Sequence, residues 1–359
     1  MSDDRIEANT GTTGVREGFG FDQGALDAWL RENVADYRGP LTVEQFKGGQ
    51  SNPTYKLTTP AAAYVLRRKP PGALLPGAHA VDREFRVISA LGVQGFPVAR
   101  TFGLCTDPAV IGTEFYVMEF VAGRIFWEPS LPEVPASERA VCFDAMNDTI
   151  ARLHGIDPAA AGLADYGKPG DYFARQIGRW SRQYLGDEAA GRVPAMDRLV
   201  EWLPAHVPAD GGDEARVIHG DFRCDNMIFH PTEPRVLAVL DWELSTLGHP
   251  LADFAYHLMM YRMPAELGTG LAGLDLAALG IPSEDDYVAA YCRRTGRAGI
   301  PHLDFYVAFN LFRLAAIIHG IKGRLSRGTA SSAHAGKMVA SLEPLADLAW
   351  AQAERSASR

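Results

Sequence analysis

The chain has 359 residues, 47% hydrophobic and 22% charged, which is ordinary globular composition with length enough for two lobes. It carries 44 acidic against 35 basic residues, for a net charge of −9. The basic residues are scattered in short runs such as Arg67-Arg68-Lys69 and Arg293-Arg294, which argues against a nucleic-acid partner, since that needs clustered Lys and Arg. Cys105, Cys142, Cys224 and Cys292 form no CxxC pair, so reduced thiols are expected rather than disulfides or a zinc site. The polar, acidic N-terminus has no apolar core of a signal peptide. No stretch reaches about eighteen uninterrupted apolar residues, so no membrane partner is expected and the cytoplasm is the expected location.

Residues 1–20 read as a flexible arm. Leu26, Trp29, Leu30 and Val34 recur at helical spacing and predict a helix over about 24–36. Next, LTVEQFKGGQSNPTYKLTTPAAAYVLRRK holds two β-like stretches around a Gly-Gly turn and a third at Ala63–Arg68. A helix over about 82–91 has Asp82 and Glu84 in its first turn and Gly92 beyond its end. Two more β-like segments follow, over 99–104 and 115–120. Strands, helix, strands within about a hundred residues predict an antiparallel sheet carrying one helix, over 21–121.

From Ala122 to the end the character is helical. Ser137 is the expected cap of a helix running through Leu153, with Gly155 past its end. Further helical patterns cover about 171–185, 195–206, 250–262, 284–295, 304–325 and 333–355. The one β-like island of this half lies between 214 and 241. The expected class is α+β, with a small antiparallel-sheet lobe (21–121) and a larger, mainly helical lobe (122–359).

The segment that carries chemistry is VIHGDFRCDNMIFHPTEPRVLAVLDWE, over 217–243. A strand-like start ends in His219-Gly220-Asp221, and Asn226 follows Asp221 by five positions. Met227-Ile228-Phe229 and the run over 236–240 predict a hairpin whose second strand ends in Asp241. A hairpin returns its ends to one place, so Asn226 and Asp241 are expected close together, with Asp221 just before them. Carboxylates and an amide oxygen are hard ligands, suited to magnesium, which takes few protein ligands and completes its shell with water and phosphates. Phosphoryl transfer needs one acid to receive the acceptor's proton and another to hold that metal.

HGDxxxxN followed by an Asp some twenty residues on resembles the aminoglycoside phosphotransferase and choline kinase group. The resemblance implies a bilobal, protein-kinase-like fold, ATP and magnesium as cofactors, and a small-molecule hydroxyl as acceptor. It makes Asp221 the catalytic base, Asn226 a metal ligand and Asp241 the main metal ligand. His219 becomes a support of the catalytic loop, and Asp253 an anchor of the active-site loops. The nucleotide half falls in the first lobe. Gly48-Gly49-Gln50-Ser51-Asn52 lacks GxGxxG and GxxxxGK[ST], but a similar loop covers the phosphates in the family, with Ser51 and Asn52 at the contacts. Tyr64-Val65-Leu66-Arg67 resembles the strand that carries the phosphate-binding Lys, here Arg67, with Lys69 in reserve. Glu84 is its expected partner, and Asp82 the alternative. Phe115 to Gly123 resembles the hinge, where adenine meets backbone groups of Glu119 and Val121 beside Met118.

Gly11, Gly14, Gly18 and Gly20 follow no strand and are no dinucleotide fingerprint. His249 departs from the Asp that many relatives carry there. The segments VLRRKPPG, FYVMEFVAGR and DWELSTLGHPLADFAY look closer to the kinase-like domain attached to some acyl-CoA dehydrogenases. That subgroup implies a hydroxy acid or hydroxyacyl-CoA acceptor. Tyr256, Tyr261, Arg262, Arg313, His319, Lys322 and Arg324 suit an anionic or apolar acceptor better than a polycation. The rival readings are an aminoglycoside-type antibiotic kinase, a magnesium-dependent hydrolase, and a nucleotide-binding pseudokinase without transfer.

Overall fold

Strand-forming runs in the first 120 residues pair into one antiparallel sheet of six strands: β1 (Thr12–Thr13), β2 (Thr42–Phe46), β3 (Thr54–Thr58), β4 (Ala63–Arg68), β5 (Thr101–Cys105) and β6 (Phe115–Glu119). Their order is β1-β2-β3-β4-β6-β5. The computed structural model describes residues 7, 10–48, 52–72, 79–168, 170–209, 215–267, 270–328 and 335–357. Contacts divide the chain into two units. The first holds Met1–Trp127, Ala159–Leu163 and Cys224–Ser245; the second holds Glu128–Pro158, Ala164–Arg223 and Thr246–Arg359.

In the first unit, β3 buries Tyr55 and Leu57 and leaves its alternate residues half-exposed, the period of a strand with one face on a core. Helix α1 (Gln23–Asn33) is capped by the Asp22 carboxylate, which accepts from the Gly24 and Ala25 amides. Its Leu26 and Leu30 pack with Tyr55, Leu57, Leu66 and Phe115. Helix α2 (Val81–Val93) buries Val81, Val87, Ile88 and Leu91 at helical spacing, and one charge with them, Glu84.

The expected flexible arm is corrected in its second half. Thr12 and Thr13 pair with Phe46 and Gln45, the Arg16 amide donates to Gln45 Oε1 at 3.0 Å, and its guanidinium donates to the Phe46 carbonyl at 2.8 Å. The C-terminal end of β2 is thus covered at the sheet edge, with the Phe46 carbonyl given a donor.

The hairpin also lies elsewhere than the expected boundary at 121. Strands β8 (Met227–Phe229) and β9 (Val236–Val239) pair antiparallel and belong to the first unit. Phe229 and Arg124 exchange backbone hydrogen bonds of 2.8 Å, and the Val239 amide donates to Pro97 O at 2.9 Å. A Cβ on Gly123 would fall 2.2 Å from the Phe229 carbonyl oxygen. Only glycine permits that approach.

The second unit holds β7 (Arg216–Ile218) paired antiparallel with β10 (Thr246–Gly248). The single β-like island expected in this half missed β10, because three residues are too short to show a period. Helices α3 (Ala136–Gly155), α4 (Tyr172–Gly186), α5 (Pro194–Ala205), α6 (Pro250–Arg262), α7 (Glu284–Thr295), α8 (Leu303–Ser326), α9 (Ala335–Ala340) and α10 (Leu342–Ala357) complete it. The N-cap of α3 is Pro135, with Ser137 inside the first turn and Gly155 the last helical residue, which corrects the expected cap positions.

Helix α8 packs against α4, α5, α6, α9 and α10. It is long and apolar enough to cross a membrane, yet 83% of that window is buried within the protein. Asn310 and Arg313 interrupt its apolar run, so it escaped the count of uninterrupted residues. A helix apolar on all sides is what the centre of a helical unit requires.

Candidate active site

In the first unit, Arg67 near the end of β4 gathers three carboxylates. Its Nε lies 2.8 Å from Glu84 Oε2, and its Nη2 lies 2.8 Å from Asp241 Oδ1 and 3.5 Å from Glu243 Oε2. Glu84 is buried and further accepts from Asn52 Nδ2 at 2.7 Å and from the Tyr116 hydroxyl at 3.1 Å. Asn52 Oδ1 meets His79 Nδ1 at 2.9 Å. Burial disfavours the Arg67 charge, but Glu84, Asp241 and Glu243 outweigh it and hold the guanidinium above its ordinary value. Burial likewise lifts the Glu84 carboxyl, against the pull of Arg67.

Asp241 follows β9 with a left-handed backbone, φ 62° and ψ 63°. Its side chain is 36% exposed, and among the described residues its carboxylate has Arg67 as sole partner. Asn226 closes the turn Cys224–Asn226 before β8, and its carbonyl accepts from the Leu240 amide at 2.8 Å. The hairpin register therefore sets Asn226 and Asp241 at one end of the same two strands. Among the described residues no group of three or more His, Cys, Asp and Glu is disposed to hold a metal. An amide oxygen and a partly open carboxylate, both hard donors, fit magnesium, which draws the rest of its shell from water and phosphate.

In the second unit, Asp253 in the first turn of α6 organises the loop after β7. Its carboxylate, 2% exposed, accepts from the His219 amide at 2.8 Å, the Gly220 amide at 2.8 Å and His154 Nε2 at 3.2 Å. The Asp221 amide donates to His219 Nδ1 at 3.1 Å, so His219 Nδ1 carries no proton. The Tyr256 hydroxyl, one turn after Asp253, donates to Asp221 Oδ1, and Arg223 Nε lies 3.6 Å from that oxygen. The chain crosses between units after Arg223, so Asp221 belongs to the second unit while Asn226 and Asp241 belong to the first.

Below this loop, His257 Nδ1 faces the Phe222 carbonyl at 3.2 Å and its Nε2 faces the Tyr287 hydroxyl at 2.7 Å. A carbonyl only accepts, so Nδ1 bears the proton and Nε2 accepts from Tyr287. Burial pushes the imidazole down to about 4 from 6.5. Between those pH values the unfolded chain binds a proton that the folded one does not, so stability falls as pH drops through the window. Urea unfolding from pH 6.5 to pH 4 will show a loss on the order of 3 kcal/mol in the native protein relative to a His257→Gln variant.

Other sequence-chosen residues divide. Glu84, not the exposed Asp82, pairs with Arg67. Lys69 is engaged elsewhere, 2.8 Å from Glu114. Met118 is buried in β6. The Glu119 amide donates to the Arg100 carbonyl at 2.8 Å, so the Glu119 group left for a ligand is its carbonyl. Val121 is half-buried just past β6. Ser51 and most of the glycine turn lie outside the described residues. His249 is buried and stacked on Tyr306 at 5.5 Å. Sequence reasoning missed Tyr116 and Glu243 around Arg67, and gave Tyr256 no link to Asp221. The three-residue step from Asp253 to Tyr256 on one helix was the available signal for that link.

The sheet unit and the helical unit together form a bilobal, protein-kinase-like α+β fold. The chain belongs to the phosphotransferase enzyme family APH, which matches residues 42–306. It is 44% identical over 342 residues to mouse acyl-CoA dehydrogenase family member 10 and 46% identical over 346 residues to chicken family member 11. Those matches cover 94% of this chain but 32% and 44% of the two relatives, so the chain spans less than half of their length. Among crystal structures, a Ralstonia eutropha chain named after the aminoglycoside phosphotransferases is 51% identical, with a TM-score of 0.86 over 94% of this chain and 99% of that one. A choline kinase of Cryptosporidium parvum shares the fold at 10% identity and TM-score 0.59, covering 94% and 96% of the two chains.

Proposed function

We propose that this chain is an ATP- and magnesium-dependent kinase that phosphorylates the hydroxyl of a small molecule. The observation that carries the reading is Arg67, ion-paired to Glu84 of the next helix and to Asp241. Kinases need a strand cation paired with a helix Glu, and a metal Asp, in place before transfer. Arg67 serves as that cation and is competent to grip phosphate oxygens with its planar fork. A magnesium ion at this site would supply positive charge against the charge that develops on the phosphate oxygens. Asn226 and Asp241 would hold it, and Asp221 orients the acceptor hydroxyl and receives its proton. The Glu119 carbonyl and Val121 backbone take adenine, whereas Asn52, buried with its amide engaged by Glu84 and His79, supports the Arg67–Glu84 pair rather than the expected phosphate contact. His219 and Asp253 shape the loop that carries Asp221.

A solved relative of the same fold is described in ternary complex with ADP and hygromycin B, which supports a nucleotide and a small acceptor as the ligands here. The relatives named for acyl-CoA dehydrogenation support an acceptor of acyl type, a hydroxy acid or a hydroxyacyl-CoA. All four cysteines are free, which suits the reducing cytoplasm. The test is ATP consumption screened over hydroxy acids, hydroxyacyl-CoAs, aminoglycosides and amino alcohols. Turnover stimulated by the first two classes is expected. Equal background with every acceptor would defeat the reading in favour of a nucleotide-binding module, and stimulation by aminoglycosides alone would make the chain an antibiotic kinase.

A further inference from the structure

Helix α8 buries an arginine that has no counter-ion among the described residues. Arg313 is 6% exposed, and its Nε has no hydrogen-bond partner. Among the described residues no carboxylate or carbonyl pairs with any of its nitrogens. Its guanidinium instead lies against two aromatic rings, 5.3 Å from the centre of Tyr256 and 6.0 Å from that of Trp180. Trp180 is itself buried, and its indole Nε1–H also lacks an acceptor.

Other inward-facing arginines are treated differently. Arg67 has three carboxylates, and Arg262 has Glu284, Asp304 and the Gln352 carbonyl. Arg68, buried without a carboxylate, at least donates to the Lys69 carbonyl at 3.4 Å. A cation–π contact offsets only part of the cost of desolvating a guanidinium. Two neighbouring donors, one of them charged and neither with an acceptor, are the complement of an anion.

The position of this pair gives the anion an identity. Tyr256 offers its face to Arg313 and its hydroxyl to Asp221. One tyrosine ring thus separates the unpaired guanidinium from the carboxylate that receives the acceptor's proton. We propose that Arg313 and the Trp180 indole N–H form a subsite for a carboxylate on the acceptor, so that the acceptor is a free hydroxy acid with its hydroxyl at Asp221. The hydroxyl half of this assignment rests on the kinase reading; the carboxylate half does not. A polycationic acceptor would meet Arg313 as a like charge.

The experiment has two arms on the full chain. In the first, without ATP, a short-chain hydroxy acid and its methyl ester are compared in thermal unfolding. The acid raises the Tm of the native protein and the ester does not; in Arg313→Met the acid has no effect. In the second, Arg313→Met raises KM for the hydroxy acid by roughly 30-fold or more. The rise falls on KM rather than kcat, and KM for a hydroxyacyl-CoA, which has no free carboxylate at that end, stays the same. Trp180→Phe keeps the ring, removes only the N–H, and raises the same KM about 5-fold. It serves as the reading should the methionine variant fail to fold. No Tm rise with the acid in the native protein, or an unchanged KM in the variants, overturns the subsite. Absent turnover with every acceptor, beside an acid-induced Tm rise that Arg313→Met abolishes, sustains the subsite and defeats the kinase reading instead.

Discussion

Asp221→Asn is expected to lower phosphotransfer by about 10²–10⁴-fold while nucleotide binding persists. The substitution keeps the shape of the side chain and an oxygen for the Tyr256 hydroxyl to meet. It leaves the amide hydrogen bond to His219 Nδ1 in place. What it removes is the capacity to take a proton from the acceptor hydroxyl. Single-turnover transfer measured beside nucleotide affinity separates the two effects, and transfer at the native rate would sink the assignment of Asp221 as base. Asp241→Ala removes both. It deletes a hard oxygen donor and one of the three carboxylates around Arg67, so magnesium-dependent nucleotide affinity is lost along with transfer.

Asp253→Ala will produce the largest stability change of any single substitution in the loop that carries Asp221. The side chain is fully enclosed and satisfies two buried amides and His154 Nε2. Removing it orphans all three, which costs about 3–5 kcal/mol. Gly220 sits at φ 82° in that loop, a conformation held by the Asp253 contact to its amide. The carboxyl is held below its ordinary value. Burial acts to raise it, but the hydrogen bond and charge of His154, with His219, prevail. A depressed carboxyl contributes stability that is present above the unfolded value near 3.8 and lost as pH falls through the lower folded value. Urea midpoints of native protein and Asp253→Asn should therefore differ most at neutral pH and converge in acid. Equal midpoints at neutral pH would show that the amides find other acceptors.

Much of this molecule is written locally. The helices over 250–262 and 284–295 end where their periodicity and flanking residues put them, because a helix is decided within a few turns by spacing, caps and glycine. The string from His219 to Asp241 is equally local, and it led to the family that the whole chain joins. The hairpin was legible for the same reason.

Its allegiance was not. The hairpin folds with the first unit because Gly123 lets the backbone reach Phe229 and because Val239 finds Pro97, contacts that span more than a hundred residues. The pairing of Arg67 with Asp241 spans 174. Short strands such as β1 and β10 exist because a partner strand takes their hydrogen bonds, and so few residues carry no period of their own. The isolation of Arg313 is the furthest from sequence. An arginine in a helix reads as charged surface until packing surrounds it with Trp180 and Tyr256 and, among the described residues, offers it no carboxylate. Residue types and their spacing determined the family and the chemistry open to it. Which charges meet, and which is left without a partner, was decided by tertiary contacts, because pairing depends on distance in space and sequence specifies only distance along the chain.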